Sequence, residues 1–336
     1  MILLGALAGC SAPPPLLARF EFAEPKLGTQ FRIVLWAPSA ALAEQAAVLA
    51  FARIDQLNAS LSDYDPESEV SMLACGAPVH GSDDLLAVLE PALVIAEQSE
   101  GAFDVTVGPL VELWREAART HVLPAASRIA AARACVGWQW LRVDARQHTV
   151  QLAHPRMRID LGGIAKGYAA DAAMQALERA GITRALVAGG GDIVAGAAPP
   201  GRAGWVVALD PLAGAPPARV ELEHAAVSTS GDTYQFVAIG GVRYSHIVDP
   251  RTGMGVTHRT AASVIARNGT TADALATAVC VLGAERGIAL VSLHAGAWAR
   301  VVTAADPAPL VCESRPLPDH EEFVNLGRCR YRRLLH

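Results

Sequence analysis

The chain has 336 residues, 52% of them hydrophobic and 18% charged, with a net charge of −5. That length allows one large domain or two small ones, and the composition excludes an extended disordered chain. The acidic balance argues against nucleic acid as a main partner, and six widely spaced cysteines without a Cys-x-x-Cys pair signal neither a zinc site nor a disulfide framework.

Residues 1–10 are apolar and end in Leu7-Ala-Gly-Cys10, the pattern of a bacterial lipoprotein signal in which the cysteine is lipidated. A run this short cannot span a bilayer. It lacks a positive leading region, so a start upstream of Met1 is expected. Residues 11–19, with Pro13-Pro14-Pro15, read as a stiff tether, and residues 20–336 as the folded domain.

Phe20 to Trp36 reads as a strand pair around Lys26-Leu27-Gly28-Thr29. Ser39 to Asn58 is amphipathic and helical, with Ser39 as N-cap. Leu61 to Val70 is a polar loop in which Tyr64 stands among acids. Ser82 to Gly101 is a second helix, and Ala102-Phe103-Asp104-Val-Thr-Val107 is expected as a short strand entering a Gly-Pro turn. Leu110 to Ala126 and Ala130 to Val136 look helical, and Leu141 to Ile159 reads as a hairpin.

The most informative stretch is Asp160-Leu-Gly-Gly163-Ile-Ala-Lys166-Gly-Tyr-Ala-Ala-Asp171. Met157 to Ile159 reads as a strand end and Ala169 to Ala180 as a helix. An acid, two glycines and a lysine thus lead into a helix start, where unpaired N–H groups and the dipole favour phosphate. A glycine-rich turn with no ligand fits this stretch equally well, since the spacing is neither a Walker loop nor a dinucleotide fingerprint.

Arg184 to Val187 is a buried strand that runs into Gly189-Gly-Gly-Asp192. Trp205 to Leu209 and Arg219 to Leu222 are strands, and Ala226 to Asp232 is a hydroxyl-rich turn. His246 precedes the turn Asp249-Pro-Arg-Thr-Gly253. In the helix around Thr271 to Cys280, Asp273 and Thr277 lie at i and i+4, about 5–6 Å apart on one face. A carboxylate and a hydroxyl so placed can hold a hard cation, or can serve only the helix start and its packing. Arg328, Arg330, Arg332 and Arg333 read as a solvated surface.

Taken together, these stretches resemble the ApbE family, flavin transferases that move FMN from FAD onto proteins. The matching segments run in family order. They are Leu27-Gly-Thr29, Ser62 to Glu69, Phe103 to Pro109, Asp160 to Asp171, Gly190-Gly-Asp192, Ser228 to Gly231, His246 to Gly253 and Ala272 to Thr277. The resemblance implies a single α+β domain with a T-fold-like sheet core flanked by helices. It implies magnesium held by Asp273, Thr277 and the Gly163 carbonyl. It also implies FAD contacts at Leu27, Tyr64, Ala102, Phe103, Asp104, Asp160, Lys166 and Ile247. His246 becomes the candidate general base for an acceptor threonine, because its ordinary pKa suits that task, with Asp160 as the second candidate. The implied acceptors are Rnf- or Nqr-type subunits or a periplasmic flavin reductase, reached on the periplasmic side of the membrane. Leu27 stands where the family usually has methionine, a volume-conserving swap. Ala188 occupies the region where an asparagine often precedes the glycines. A magnesium-dependent FAD pyrophosphatase and a flavin-binding lipoprotein without turnover remain the alternative readings.

If Cys10 carries lipid, the protein partitions with membranes and Cys10→Ser releases it. Equal membrane association of the two forms in fractionation would sink the lipid anchor.

Overall fold

Burial alternates with a period of two along the β-rich stretches, and this builds one large antiparallel sheet. The computed structural model describes residues 16–209, 212, 214–231, 235–315, 324–326 and 328–334. Cys10, with the whole 1–10 segment and most of the tether, lies outside the described residues. Eight strands pair in chain order: Ala18–Lys26, Thr29–Ala37, Ala185–Gly189, Asp192–Ala195, Ala225–Gly231, Thr260–Ala266, Trp298–Thr303 and Leu310–Glu313. The chain leaves the sheet after Ala37 and returns at Ala185.

The helices are α1 (Ala40–Leu61), α2 (Glu69–Met72), α3 (Asp83–Gln98), α4 (Gly108–Thr120), α5 (Ala126–Arg133), α6 (Ala165–Arg179), α7 (Gly269–Leu282) and α8 (Ala284–Ser292). No helix among the described residues is long and apolar enough to cross a membrane. Ser39 caps α1 as expected, its hydroxyl accepting from the Leu42 N–H at 3.3 Å. Ala46, Ala47 and Ala50 on α1 and Ala169, Ala170 and Ala173 on α6 keep both helices thin where they join the core.

The sheet is buried on both faces. Ile33, Leu35, Val187 and Val264 pack under the helices, whereas their neighbours Val34, Leu186 and Ile265 face the opposite way. That second face is covered by a four-stranded sheet containing Trp205–Leu209, Ala218–Glu223, Val324–Leu326 and Cys329–Leu334. The result is the single α+β domain expected from the sequence.

Four local expectations are corrected. Residues 102–107 form no strand. The Asp104 carboxylate accepts from the Thr106 N–H at 2.8 Å and from the Trp138 N–H at 2.9 Å, which bends the segment into a loop. Residues 157–159 make only one isolated bridge, Arg158 to Val107. The hydroxyl-rich segment 226–231 is a central strand, because its neighbours satisfy its polar groups: Ser228 donates to Asp192 and Thr229 bonds Ser263. Arg330 and Arg332 are no solvated patch. They pair with Glu223 at 3.0 Å and Glu221 at 2.7 Å on the adjacent strand.

The starts of α6 and α7 touch backbone to backbone. A Cβ on Gly167 would stand 2.2 Å from the Gly269 carbonyl oxygen, and one on Gly269 would stand 2.5 Å from that of Gly167. Gly167→Ala therefore forces the helices apart. Overpacking of this kind costs about 1–3 kcal/mol, a fall in Tm of roughly 2–6 °C for a chain of this length. Gly76→Ala, where nothing lies within 4 Å, should melt like the parent. Matching melting curves for the two variants would refute the contact.

Candidate active site

Where α6 and α7 meet, each helix caps the other. Asp171 of α6 accepts from the N–H groups of Gly269 and Thr270 at 2.7 and 2.9 Å, and from the Thr270 hydroxyl at 2.7 Å. Asp273 of α7 accepts from the Gly167 N–H at 3.1 Å. Each carboxylate meets the positive end of the other helix, and the close approach fixes their relative position.

Lys166 sits in the first turn of α6. Its Nζ donates to the Gly162 carbonyl at 3.0 Å and lies 3.5 Å from both Asp192 Oδ2 and Asp273 Oδ2. Burial works against this charge, but Asp273 and Asp192 outweigh it and hold the ammonium above its usual range. Asp192, on the neighbouring strand, accepts from the Ser228 hydroxyl at 2.5 Å. Burial and the Asp273 charge push its carboxyl up to about 7 against the pull of Lys166. The sequence placed Asp192 in a motif but gave it no role. Its signal was an acid directly following a strand-terminal glycine run.

The residues implied to hold magnesium converge. Gly163 abuts α7 so closely that a Cβ there would stand 3.0 Å from Thr277 Oγ1. Thr277 lies one turn beyond Asp273, with Ser230 Oγ 3.4 Å from its hydroxyl. A carboxylate, a hydroxyl and a main-chain carbonyl form an all-oxygen donor set, which fits a hard cation such as magnesium. Among the described residues no group of three or more His, Cys, Asp or Glu side chains is placed to hold a metal. Three oxygen donors leave the remaining positions of an octahedral cation to water or to a bound ligand.

The Lys166 stem also comes near Thr29, with Gly190 between them. A Cβ on Gly190 would meet Lys166 Cδ and Thr29 Cγ2, each at 3.2 Å. Thr29 belongs to a groove of about 410 Å³ lined by Lys26, Leu27, Gly28, Ile54, Asp55 and Asn58. Leu27 lines that groove two residues before Thr29.

Asp160 lies at the other side of the glycine turn. Its N–H donates to the Val105 carbonyl at 2.7 Å, and its Oδ1 accepts from the Gly162 N–H at 2.9 Å. Arg115 of α4, which the sequence reading missed, donates to Asp160 Oδ2 at 3.0 Å and to Asp63 Oδ2 at 2.6 Å. Its guanidinium stands 4.1 Å from the ring centroid of Tyr64, which is 76% exposed. An acidic loop without a cation of its own was the one hint of such a partner. Ala102, Phe103 and Asp104 are buried, and the Phe103 ring faces Gly163. Both Asp104 oxygens are engaged inside the loop, on Thr106 and Trp138. Ile247 is buried in the core under the sheet. His246 is exposed, with Nδ1 3.0 Å from the Gln235 carbonyl. A carbonyl only accepts, so Nδ1 carries the proton and the basic lone pair lies on Nε2.

A model of the ApbE family matches residues 27–300. The FAD:protein FMN transferase of Vibrio cholerae is 32% identical over 294 residues, covering 84% of this chain and 86% of that protein. The enzyme of the same name from Treponema pallidum is 36% identical over 292 residues, 81% of each. Among solved structures, the flavin transferase ApbE from Vibrio cholerae superposes with a TM-score of 0.80 at 30% identity, covering 89% of this chain and 98% of that one. The apo flavinyl transferase ApbE of Pseudomonas stutzeri gives 0.79 at 29% identity, covering 89% and 95%.

Burial, helped by the Asp63 charge, pushes the Asp160 carboxyl up to about 6, with Arg115 and the Gly162 N–H pulling it down. The folded chain thus holds this proton more tightly than the unfolded chain, where the value is about 3.9. Asp160 therefore costs stability as it ionises. In chelator, stability falls from this source as pH rises from about 4 to about 6 and is level above, by at most ~3 kcal/mol. Denaturant melts of the parent and Asp160→Asn across that range test this. Parallel stability curves for the two would refute it.

Proposed function

The chain belongs to the ApbE family, and from that membership we propose that it is an FAD:protein FMN transferase that esterifies an acceptor threonine and releases AMP. The observation that carries this reading is the Lys166 ammonium set between Asp192 and Asp273 at the start of α6. An ammonium, a helix N-terminus and an oxygen donor set suit a pyrophosphate and its cation.

In this reading Lys166 and the α6 N-terminus bind the FAD pyrophosphate. Asp273, Thr277 and the Gly163 carbonyl would hold magnesium. When bound, magnesium supplies charge neutralisation on the phosphate oxygens. Asp192 keeps Lys166 in place, and Ser228 keeps Asp192 in place. His246 Nε2 takes the proton of the acceptor threonine as its oxygen bonds to the FMN phosphorus. The bond from that phosphorus to the bridging oxygen breaks, and AMP leaves with the bridging oxygen. Positioning and electrostatics supply most of the rate, as in other phosphoryl transfers. We propose further that the enzyme works on the periplasmic side of a bacterial membrane, held by lipid on Cys10. Its acceptors there would be Rnf- or Nqr-type subunits or a flavin reductase.

Incubation with FAD, magnesium and a purified acceptor, read by mass spectrometry, tests the proposal. Covalent FMN on a threonine supports it; free FMN without labelled acceptor would make the chain a pyrophosphatase, and unchanged FAD a binding protein. Asp273→Ala and Asp273→Asn should both be nearly inactive; Asp273→Ala also leaves the Gly167 N–H without its acceptor and should lose about 1 kcal/mol of stability while still folding, whereas Thr277→Ala loses a neutral ligand that water can replace and should fall less in activity. His246→Ala should lower turnover roughly 10²–10⁴-fold with little effect on FAD binding. Wild-type transfer by Asp273→Ala at the same magnesium dependence would overturn the metal assignment, and an unchanged rate in His246→Ala would remove it as base.

A further inference from the structure

We infer that Arg115 is a positioning residue for substrate: it builds a stacking platform for one flat ring of FAD by locking Tyr64 and Asp160 into a single unit. The inference rests on the flavin reading above and adds to it a residue that the reading does not use.

Arg115 reaches from α4 to two separate segments. One arm of its guanidinium donates to Asp63 beside Tyr64, and the other donates to Asp160 at the glycine turn. Its central carbon stands over one face of the Tyr64 ring, 4.1 Å from the centroid. The planar fork suits this double bridge, since five N–H donors can serve two carboxylates while the flat face stacks. Without it, Tyr64 would be a single exposed aromatic on a polar loop, free to change rotamer and costly to order on binding. With it, the ring is backed by a cation and held in one place. With Arg115 covering one face, a flat heteroaromatic ring can stack on the other.

Asp160 is oriented by the same contact. Its two oxygens accept from Gly162 and Arg115, which fixes the carboxylate plane. The lone pairs that remain can accept from a hydroxyl or ring N–H of the same ligand. Asp63 and Asp160 would repel one another across this gap, and the guanidinium between them relieves that repulsion. The platform is therefore a three-sided device made from the 62–68 loop, α4 and the start of the glycine turn. Arg115 is half-exposed, so its replacement should leave the fold intact.

The test measures binding of FAD, FMN and AMP, each alone, by fluorescence titration or calorimetry on the full chain. Arg115→Met should weaken FAD roughly tenfold or more, the scale of a lost cation–aromatic support and charged bridge. The loss should follow only the half of FAD that rests on Tyr64, so either FMN or AMP weakens while the other changes less than about twofold. Tyr64→Leu should weaken the same half, and in the double variant the two losses should not add. Arg115→Lys should resemble Arg115→Met, because an ammonium lacks the planar fork. Melting should stay within about 2 °C of the parent in all of them. Wild-type FAD affinity in Arg115→Met, equal weakening of FMN and AMP, or full rescue by lysine would each overturn the inference. A parent chain that binds none of the three ligands would remove the flavin reading itself, and this inference with it.

Discussion

The backbone contact between Gly167 and Gly269 governs the rest of the site. Two helix N-termini meet there without side chains between them. Like dipole ends repel, so the arrangement needs negative charge at the crossing. Asp171 and Asp273 supply it in exchange, each bonded to the opposite helix. Two buried acids are thereby held close together, which is unfavourable unless a cation joins them. Lys166 lies 3.5 Å from Asp273 and 3.5 Å from Asp192, so it neutralises the Asp273 end of that pair and ties it to the sheet.

This network sets the character of the site. Its acids outnumber its lysine, so it attracts further positive charge and carries the Asp192 carboxyl far from its ordinary range. A cation with phosphate suits such a site better than either alone. The sheet behind it is fully packed on both faces, so the charges rest on a stiff support.

Much of this was legible in the sequence. Ser39 before an alanine-rich periodic run located α1 within a few residues, and the hairpin around Leu27 and Gly28 followed from strand patterning and its turn. The shared face of Asp273 and Thr277 followed from helical spacing, whereas a role for them in holding a cation came only from the resemblance. The segments that misled were those where side chains replace backbone pairing. Asp104 folds its loop by accepting from the Thr106 N–H two residues on and from the Trp138 N–H 34 residues away, and no local pattern encodes the second. Ser228 and Thr229 look like turn residues until their partners, Asp192 and Ser263, are known to lie on adjacent strands. The C-terminal arginines looked solvated because the glutamates that pair with them are more than a hundred residues earlier. Arg115 escaped for the same reason: its partners sit on two other segments of the chain. Family resemblance supplied what spacing could not, namely that the scattered polar stretches form one site.

The strand order also bears on how the chain is made. Neighbours in the large sheet follow one another in chain order, and the longest gap between two of them is residues 38–184, which separate the first hairpin from the strand that covers its inner edge. During vectorial synthesis the hairpin emerges first, with the Thr29–Ala37 edge unpaired until Ala185–Gly189 has followed. An open edge of this kind is a template for pairing with other chains. Closing so long a loop also makes this pairing slow. The interval between those two events is the window in which the nascent chain is most exposed to aggregation, and in which a chaperone would protect it best.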